Sequence, residues 1–128
     1  MTIAYVDTSC FVAIAAGERA GANVARRLER FDELRSSNLL EAEFRAALVR
    51  VALPVNTDLL SWLSWVLPDR ALSEEIGQVL EAGNLRGTDL WHLACALYLA
   101  GNPRDLPFVT LDDRQEAVAR QLGFPGGR

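Results

Sequence analysis

In the segment IAYVDTS at residues 3–9, an apolar run ends on the carboxylate of Asp7. Its pattern predicts a short buried strand. The stretch FVTLDD at residues 108–113 repeats the arrangement and predicts a second buried strand that ends on Asp112. Strands separated by helical segments indicate a parallel sheet covered by helices, and such sheets bind ligands at the carboxyl ends of their strands. We therefore expect a three-layer α/β/α sandwich with a short parallel sheet and a ligand site at this edge.

The rest of the chain divides into helical segments and one further short strand, with no visible repeat. We expect a single domain over residues 1–124 and a flexible tail over residues 125–128. Trp62 and Trp65, three positions apart on one predicted helix, indicate a core or dimer stripe rather than a base-stacking surface. The predicted elements are strands at 2–7, 33–36 and 108–111 and helices at 8–16, 18–31, 38–52, 57–66, 73–83, 89–100 and 114–122.

The composition fits one globular domain of 128 residues, half of them hydrophobic. No stretch approaches the ~18 uninterrupted apolar residues of a membrane span and the N-terminus lacks a basic start, so we expect a cytoplasmic protein without membrane attachment. All 13 basic residues are Arg, and the absence of Lys excludes a Walker-type phosphate loop. The net charge of −4 argues against a nucleic-acid binder unless bound cations reverse the charge of an acidic site.

Glu43 is an acidic residue on an apolar face of the third predicted helix. Positions three and four residues away share a helix face. Those positions around Glu43 are occupied by Leu39, Leu40, Ala46 and Ala47. Glu41, in contrast, has Arg45 at the spacing of an ordinary surface ion pair. Glu43 is therefore the functional candidate, and Glu41 is assigned a structural role.

Asp89 lies at the start of a predicted helix that is apolar on nearly all sides. The helix dipole alone would accommodate an acidic residue there. A buried central helix, however, places its open end against a pocket, which makes Asp89 a site candidate. His92, the only histidine, follows one turn later and has two interpretations. One is a metal-binding or proton-transfer role, and the other, commoner on a buried helix, is a packing role.

The carboxylates at the two strand ends also have structural alternatives. Asp7 is equally well explained as the N-cap of the helix that follows it. Asp113 and Glu116 have capping-box spacing, which gives Asp113 a structural role and leaves Asp112 for the site.

A shared pocket would bring together the carboxylates of Asp7, Glu43, Asp89 and Asp112. Buried carboxylates are costly unless a positive group lies beside them. Their oxygens are the ligands that hard divalent cations prefer. The sequence therefore predicts a Mg²⁺ or Mn²⁺ site.

Four segments, YVDTS, SSNLLEAEFRAAL, LRGTDLWHLACAL and FVTLDDRQEAVARQLGF, resemble in this order the PIN-domain nucleases, and in particular the VapC toxins of bacterial toxin–antitoxin pairs. The resemblance covers essentially the whole chain and implies a PIN-like nuclease domain. It places the family's catalytic, metal-binding carboxylates on Asp7, Glu43, Asp89 and Asp112. It also suggests that the pocket is lined or supported by Thr8, Ser9 and Thr110, with Asp113 at most behind the direct ligands. Which of Asp112 and Asp113 coordinates the metal stays open, and His92 matches a frequent family histidine that has no assigned catalytic role.

The same resemblance implies metal-dependent hydrolysis of RNA, a cognate antitoxin as partner and a homodimer. Trp62, Leu63 and Trp65 would supply apolar surface for the dimer. Two other functions compete with this interpretation. One is a non-catalytic binding module whose acidic pocket accepts an Arg of a partner, which would need no cation. The other is a DNA-directed nuclease, for which the short chain leaves little room.

Overall fold

The computed structural model describes residues 1–55 and 57–126, in which four parallel strands form one sheet. The elements are β1 (Ile3–Val6), α1 (Thr8–Ala15), α2 (Arg19–Leu28), β2 (Glu33–Ser37), α3 (Leu39–Arg50), β3 (Leu63–Val66), α4 (Ser73–Ala82), α5 (Gly87–Leu99), β4 (Phe108–Val109) and α6 (Asp113–Leu122). Two short 3₁₀ helices lie at Leu59–Trp62 and Pro103–Asp105.

The strand order is β3-β2-β1-β4, so β1 lies inside the sheet with a parallel neighbour on each side. Ile3 of β1 is in register with Glu33 of β2, and Tyr5 with Phe108 of β4. Ala4, Tyr5 and Val6 are fully buried. A strand covered on both faces is apolar along its length, which explains why this segment of the sequence has no alternation.

The two faces of the sheet are covered by different helices. Tyr5 stacks on Phe108, with ring centroids 5.3 Å apart, and belongs to a core formed with α4, α5 and α6. Ala4 and Val6 point to the opposite face, where they belong to a core formed with α1, α2 and α3. The predicted three-layer α/β/α arrangement with a parallel sheet is therefore confirmed.

The predicted helix at residues 57–66 is wrong. A short 3₁₀ helix at Leu59–Trp62 leads instead into β3, which pairs with β2 from Leu34↔Leu63 to Ser37↔Val66. The aromatic and β-branched residues of β3 suit a strand, and pairing with β2 outweighs the helical spacing of the two tryptophans. The tryptophans therefore do not form a helical stripe.

Other differences concern the ends of elements. α2 ends at Leu28, three residues before the predicted end, and α5 begins at Gly87, two residues before the predicted start. β4 covers only Phe108–Val109 of the predicted 108–111. The first residue of the predicted tail, Pro125, accepts a hydrogen bond from the amide of Phe108 (2.8 Å), and residues 127–128 lie outside the described residues.

The close approach of α1 and α2 requires Gly21. A Cβ atom at this position would lie 2.3 Å from the carbonyl oxygen of Ala13, a distance that no side chain tolerates. The described helices include none with the length and apolar character that a membrane crossing requires.

Candidate active site

A cleft of about 710 Å³ opens at the carboxyl-terminal edge of the sheet. β1 and β4 are parallel neighbours, so Asp7 and Thr110, which follow them closely, lie at the same edge. α3 contributes Glu43, the first turn of α5 contributes Asp89, and Asp112 lies at the start of α6. The tertiary structure therefore brings all four predicted carboxylates, which are distant in the chain, to the wall of one cleft.

Asp7 is both the N-cap of α1 and a wall of the cleft. One carboxylate oxygen, Oδ2, accepts a hydrogen bond from the amide of Ser9 (3.0 Å), which satisfies a backbone donor at the start of the helix. The other, Oδ1, accepts one from Nε2 of Gln115 (3.2 Å). The side chain is almost fully buried. Asp7 can therefore be both an N-cap and a cleft residue, because the capping hydrogen bond uses Oδ2 and not Oδ1.

Asp112, not Asp113, is the N-cap of α6. Its Oδ1 accepts a hydrogen bond from the amide of Gln115 (2.9 Å), and it also lines the cleft. Asp113 is the first residue of the helix and is exposed to solvent. The predicted capping box of Asp113 and Glu116 is therefore wrong, because the helix begins one residue earlier than expected.

Glu43 is half-buried and is held by two side chains from other elements. Its Oε1 accepts hydrogen bonds from Thr8 Oγ1 (2.8 Å) and from His92 Nε2 (2.9 Å). Burial favours a raised pKa, but these hydrogen bonds reverse the effect and lower the pKa of Glu43 below its ordinary value. Glu41 instead forms an ion pair with Arg45 at 2.7 Å on the solvent side of α3, as its spacing predicts.

His92 is completely buried and joins the sheet to Glu43. Its Nδ1 lies 2.8 Å from the hydroxyl of Tyr5, which accepts a hydrogen bond from the amide of Ser37 (3.0 Å). The Tyr5 hydroxyl is thereby left to donate its proton to Nδ1. Nε2 then holds the imidazole proton and donates it to Glu43. The packing role expected of His92 is present, and it includes the orientation of a cleft carboxylate.

The pKa of Asp89 is raised by its surroundings in the cleft. Burial raises its pKa first, and the neighbouring carboxylates of Asp7, Asp112 and Glu43 raise it further. A divalent cation would relieve this repulsion, so the electrostatics and the hard oxygen donors fit such an ion. Asp7, Asp89, Asp112 and Glu43 would hold it.

The geometry favours an ion that keeps part of its water. In the part of the chain that the structure describes, no three His, Cys, Asp or Glu side chains lie close enough to hold one ion directly. Mg²⁺ usually retains several waters and takes only one or two carboxylates directly, with other groups bound through water. The arrangement therefore suits Mg²⁺ or a similar cation better than an ion that needs a complete protein cage.

The side chains that the resemblance placed near the carboxylates lie at different depths. Thr8 and Ser9 line the cleft. Thr110 is buried at its base, where its hydroxyl contacts Ser9 Oγ (3.3 Å) and Gln115 Oε1 (2.7 Å). Asp113 does not reach the cleft.

Gln115, which was not predicted from the sequence, is fully buried beneath the carboxylates. The available signal was its position on α6, because Val118, Ala119 and Leu122 lie three, four and seven residues further on. Glu43 is a site candidate because it is a polar residue on an apolar helix face, and Gln115 has the same pattern on α6.

The match to a family model covers residues 4–121, nearly the whole chain, and the model describes the PIN domain. Comparison with curated proteins and with solved structures gave no match. The matched range contains all four strands from Ala4 onward and every carboxylate of the cleft. The chain therefore belongs to the PIN-domain family, whose members are generally Mg²⁺-dependent nucleases.

Proposed function

We propose that the protein is a metal-dependent endoribonuclease and the toxin of a VapC-like toxin–antitoxin pair. The observation that carries the proposal is the convergence of Asp7, Glu43, Asp89 and Asp112 on one cleft in a chain of the PIN-domain family. Family membership supports nuclease activity. The preference for RNA, the antitoxin and the homodimer rest on the sequence resemblance.

The four carboxylates would hold Mg²⁺ or Mn²⁺, with Thr8 and His92 fixing Glu43 through its Oε1. When bound, the cation supplies positive charge that stabilises the phosphate and lowers the pKa of a water. Gln115 and the Ser9 amide hold Asp7 in place. No side chain needs to act as a covalent nucleophile.

We infer that Arg50 binds a phosphate of the substrate. It lies at the C-terminal end of α3 and lines the cleft seven residues, or about 10 Å of helix, from Glu43. Ala46 and Ala47 line the cleft between these two charged residues, and their small side chains leave room for a ligand. Arg45 offers a matched control, because it is paired with Glu41 and lies outside the cleft lining.

The test is cleavage of total cellular RNA and of single-stranded DNA by the purified protein, with Mg²⁺, Mn²⁺ or EDTA. We expect discrete cuts in RNA that disappear with EDTA and in the Asp7→Asn and Asp112→Asn variants. The control is Asp113→Asn, whose carboxylate is exposed and outside the cleft, and it should cleave like the wild type.

Three results would contradict parts of the proposal. Cleavage of DNA but not of RNA would mean that the substrate is DNA. Activity that persists in EDTA or in Asp7→Asn would exclude the proposed mechanism. No cleavage by protein freed of any antitoxin would favour the binding module that accepts a partner Arg. The oligomeric state is a separate question, and a stable monomer at micromolar concentration in ultracentrifugation would exclude the homodimer.

A further inference from the structure

We propose that Gln115 is a positioning residue that holds Asp7, Asp89 and the start of α6 in one arrangement and thereby sets the affinity of the cleft for a divalent cation. The inference rests on the proposed function only in taking the cleft as the cation site. It concerns a neutral side chain that does not line the cleft itself.

Gln115 connects three of the four segments that bear the carboxylates. Its Nε2 donates to Asp7 Oδ1 (3.2 Å) and to the backbone carbonyl of Asp89 (3.3 Å). The backbone amide of Gln115 donates to Asp112 Oδ1 (2.9 Å), and the side-chain oxygen Oε1 accepts from Thr110 Oγ1 (2.7 Å). The side chain is fully buried, so water does not compete for these bonds.

The orientation of the Gln115 amide is fixed by its partners. A carboxylate oxygen and a backbone carbonyl only accept hydrogen bonds, so the NH₂ group must face Asp7 and Asp89. Oε1 then faces Thr110, whose single hydroxyl proton goes to this short contact rather than to Asp7 Oδ2 at 3.4 Å. Both NH₂ protons and the carbonyl oxygen of the side chain are therefore used.

Gln115 occupies a helix position at which a glutamine side chain usually bonds to the N-cap of its own helix. Gln115 is the third residue of α6, counted from the N-cap Asp112, and this is where a capping-box glutamine usually reaches back to the N-cap amide. Here the Asp112 amide is instead bonded to Thr110 Oγ1 (3.0 Å). Thr110 thus replaces Gln115 in the cap, and the Gln115 amide is available to Asp7 and Asp89.

Hydrogen bonds behind metal ligands fix their direction, and losing one typically weakens metal binding about 10- to 100-fold. Without the Gln115 amide, Asp7 Oδ1 loses its one hydrogen bond from α6. The start of α5 would then no longer be tied to α6 through the Asp89 carbonyl. We expect the carboxylates to sample more arrangements and to bind a cation less tightly.

The experiment measures Mn²⁺ binding from the loss of the free-ion signal in electron paramagnetic resonance. The variant is Gln115→Met, which keeps the length of the side chain and removes its hydrogen bonds. The control is Gln121→Met on the exposed part of the same helix. We expect Mn²⁺ to bind Gln115→Met about 10- to 100-fold more weakly than the wild type, and Gln121→Met to bind it normally.

Cleavage assays add a readout that a purely structural role would not move. In Gln115→Met, the Mg²⁺ concentration for half-maximal rate should rise by about the same factor, while KM for RNA at saturating Mg²⁺ stays near the wild-type value. A residue that only stabilises the fold would lower the melting temperature and leave the Mg²⁺ midpoint unchanged.

Thr110→Val provides a second route if Gln115→Met does not fold. It removes the hydroxyl that donates to Gln115 Oε1 and that accepts from the Asp112 amide, so it loosens both Gln115 and the start of α6. We expect weaker Mn²⁺ binding in Thr110→Val as well. Mn²⁺ affinity within twofold of the wild type in either folded variant would overturn the inference while leaving the proposed function intact. A wild-type protein that binds no Mn²⁺ would overturn both.

Discussion

Replacing Tyr5 by Phe removes one buried hydroxyl and, with it, two hydrogen bonds beneath the cleft. The hydroxyl accepts from the amide of Ser37 (3.0 Å) and donates to His92 Nδ1 (2.8 Å). The Tyr5 side chain is fully buried and burial strongly raises its pKa, so the hydroxyl keeps its proton. In Tyr5→Phe, a buried donor and a buried acceptor lose their partner.

Each buried polar group left without a partner costs about 1–3 kcal/mol. With two such groups, we expect the free energy of unfolding to fall by about 2–6 kcal/mol, of which the larger part comes from desolvation that the hydrogen bonds no longer offset. For a domain of this size the melting temperature should fall by roughly 7–22 °C.

The assay is urea unfolding in EDTA, followed by tryptophan fluorescence. The control is Tyr98→Phe, because the Tyr98 hydroxyl donates to Asp69 (2.9 Å) in an exposed position. That variant should lose less than about 0.5 kcal/mol. A loss in Tyr5→Phe no larger than in Tyr98→Phe would refute the hydrogen-bonded chain through His92.

The imidazole of His92 gives an independent readout of the same chain. In the wild type, ¹⁵N chemical shifts should show a ring proton on Nε2 and a hydrogen-bond acceptor at Nδ1, because Nδ1 accepts from Tyr5. In Tyr5→Phe this preference should weaken. A wild-type ring with its proton on Nδ1 would contradict the proposed direction of the bonds to Tyr5 and Glu43.

Three further predictions concern acid stability, helix contact and substrate binding. The pKa of Glu43 is lowered from its ordinary value of 4.5, so its ionised form stabilises the fold above pH 4.5. This stability is lost as the pH falls through the folded-state pKa. In urea unfolding with EDTA, the wild type should therefore lose more stability below pH 4.5 than Glu43→Gln does. Gly21→Ala should lower the melting temperature sharply, since its Cβ would lie 2.3 Å from a carbonyl oxygen of α1. Gly77→Ala, at an exposed position of α4 with open space around its Cβ, should instead stabilise by about 0.5–1 kcal/mol. Arg50→Gln should raise KM for RNA and flatten its salt dependence with little change in kcat, and the paired Arg45→Gln should not; equal effects of the two variants would exclude a specific phosphate contact.

Much of the fold follows from short-range patterns. The apolar runs around Ala4–Val6 and Phe108–Val109 predict buried parallel strands, because a strand covered on both faces has no polar alternation. β3 is the exception. Trp62 and Trp65 have a helical spacing, and only the pairing of residues 63–66 with β2, which is distant in the chain, makes them a strand.

The α/β class, the apolar strands and the choice of Glu43 over Glu41 follow from local sequence patterns, because each depends on neighbours within about four residues. The surroundings of the carboxylates depend instead on long-range packing. The bonds from His92 to Glu43 and from Gln115 to Asp7 join residues 49 and 108 positions apart. No local pattern encodes such contacts, since they exist only once parallel strands and their covering helices bring distant segments to one edge of the sheet.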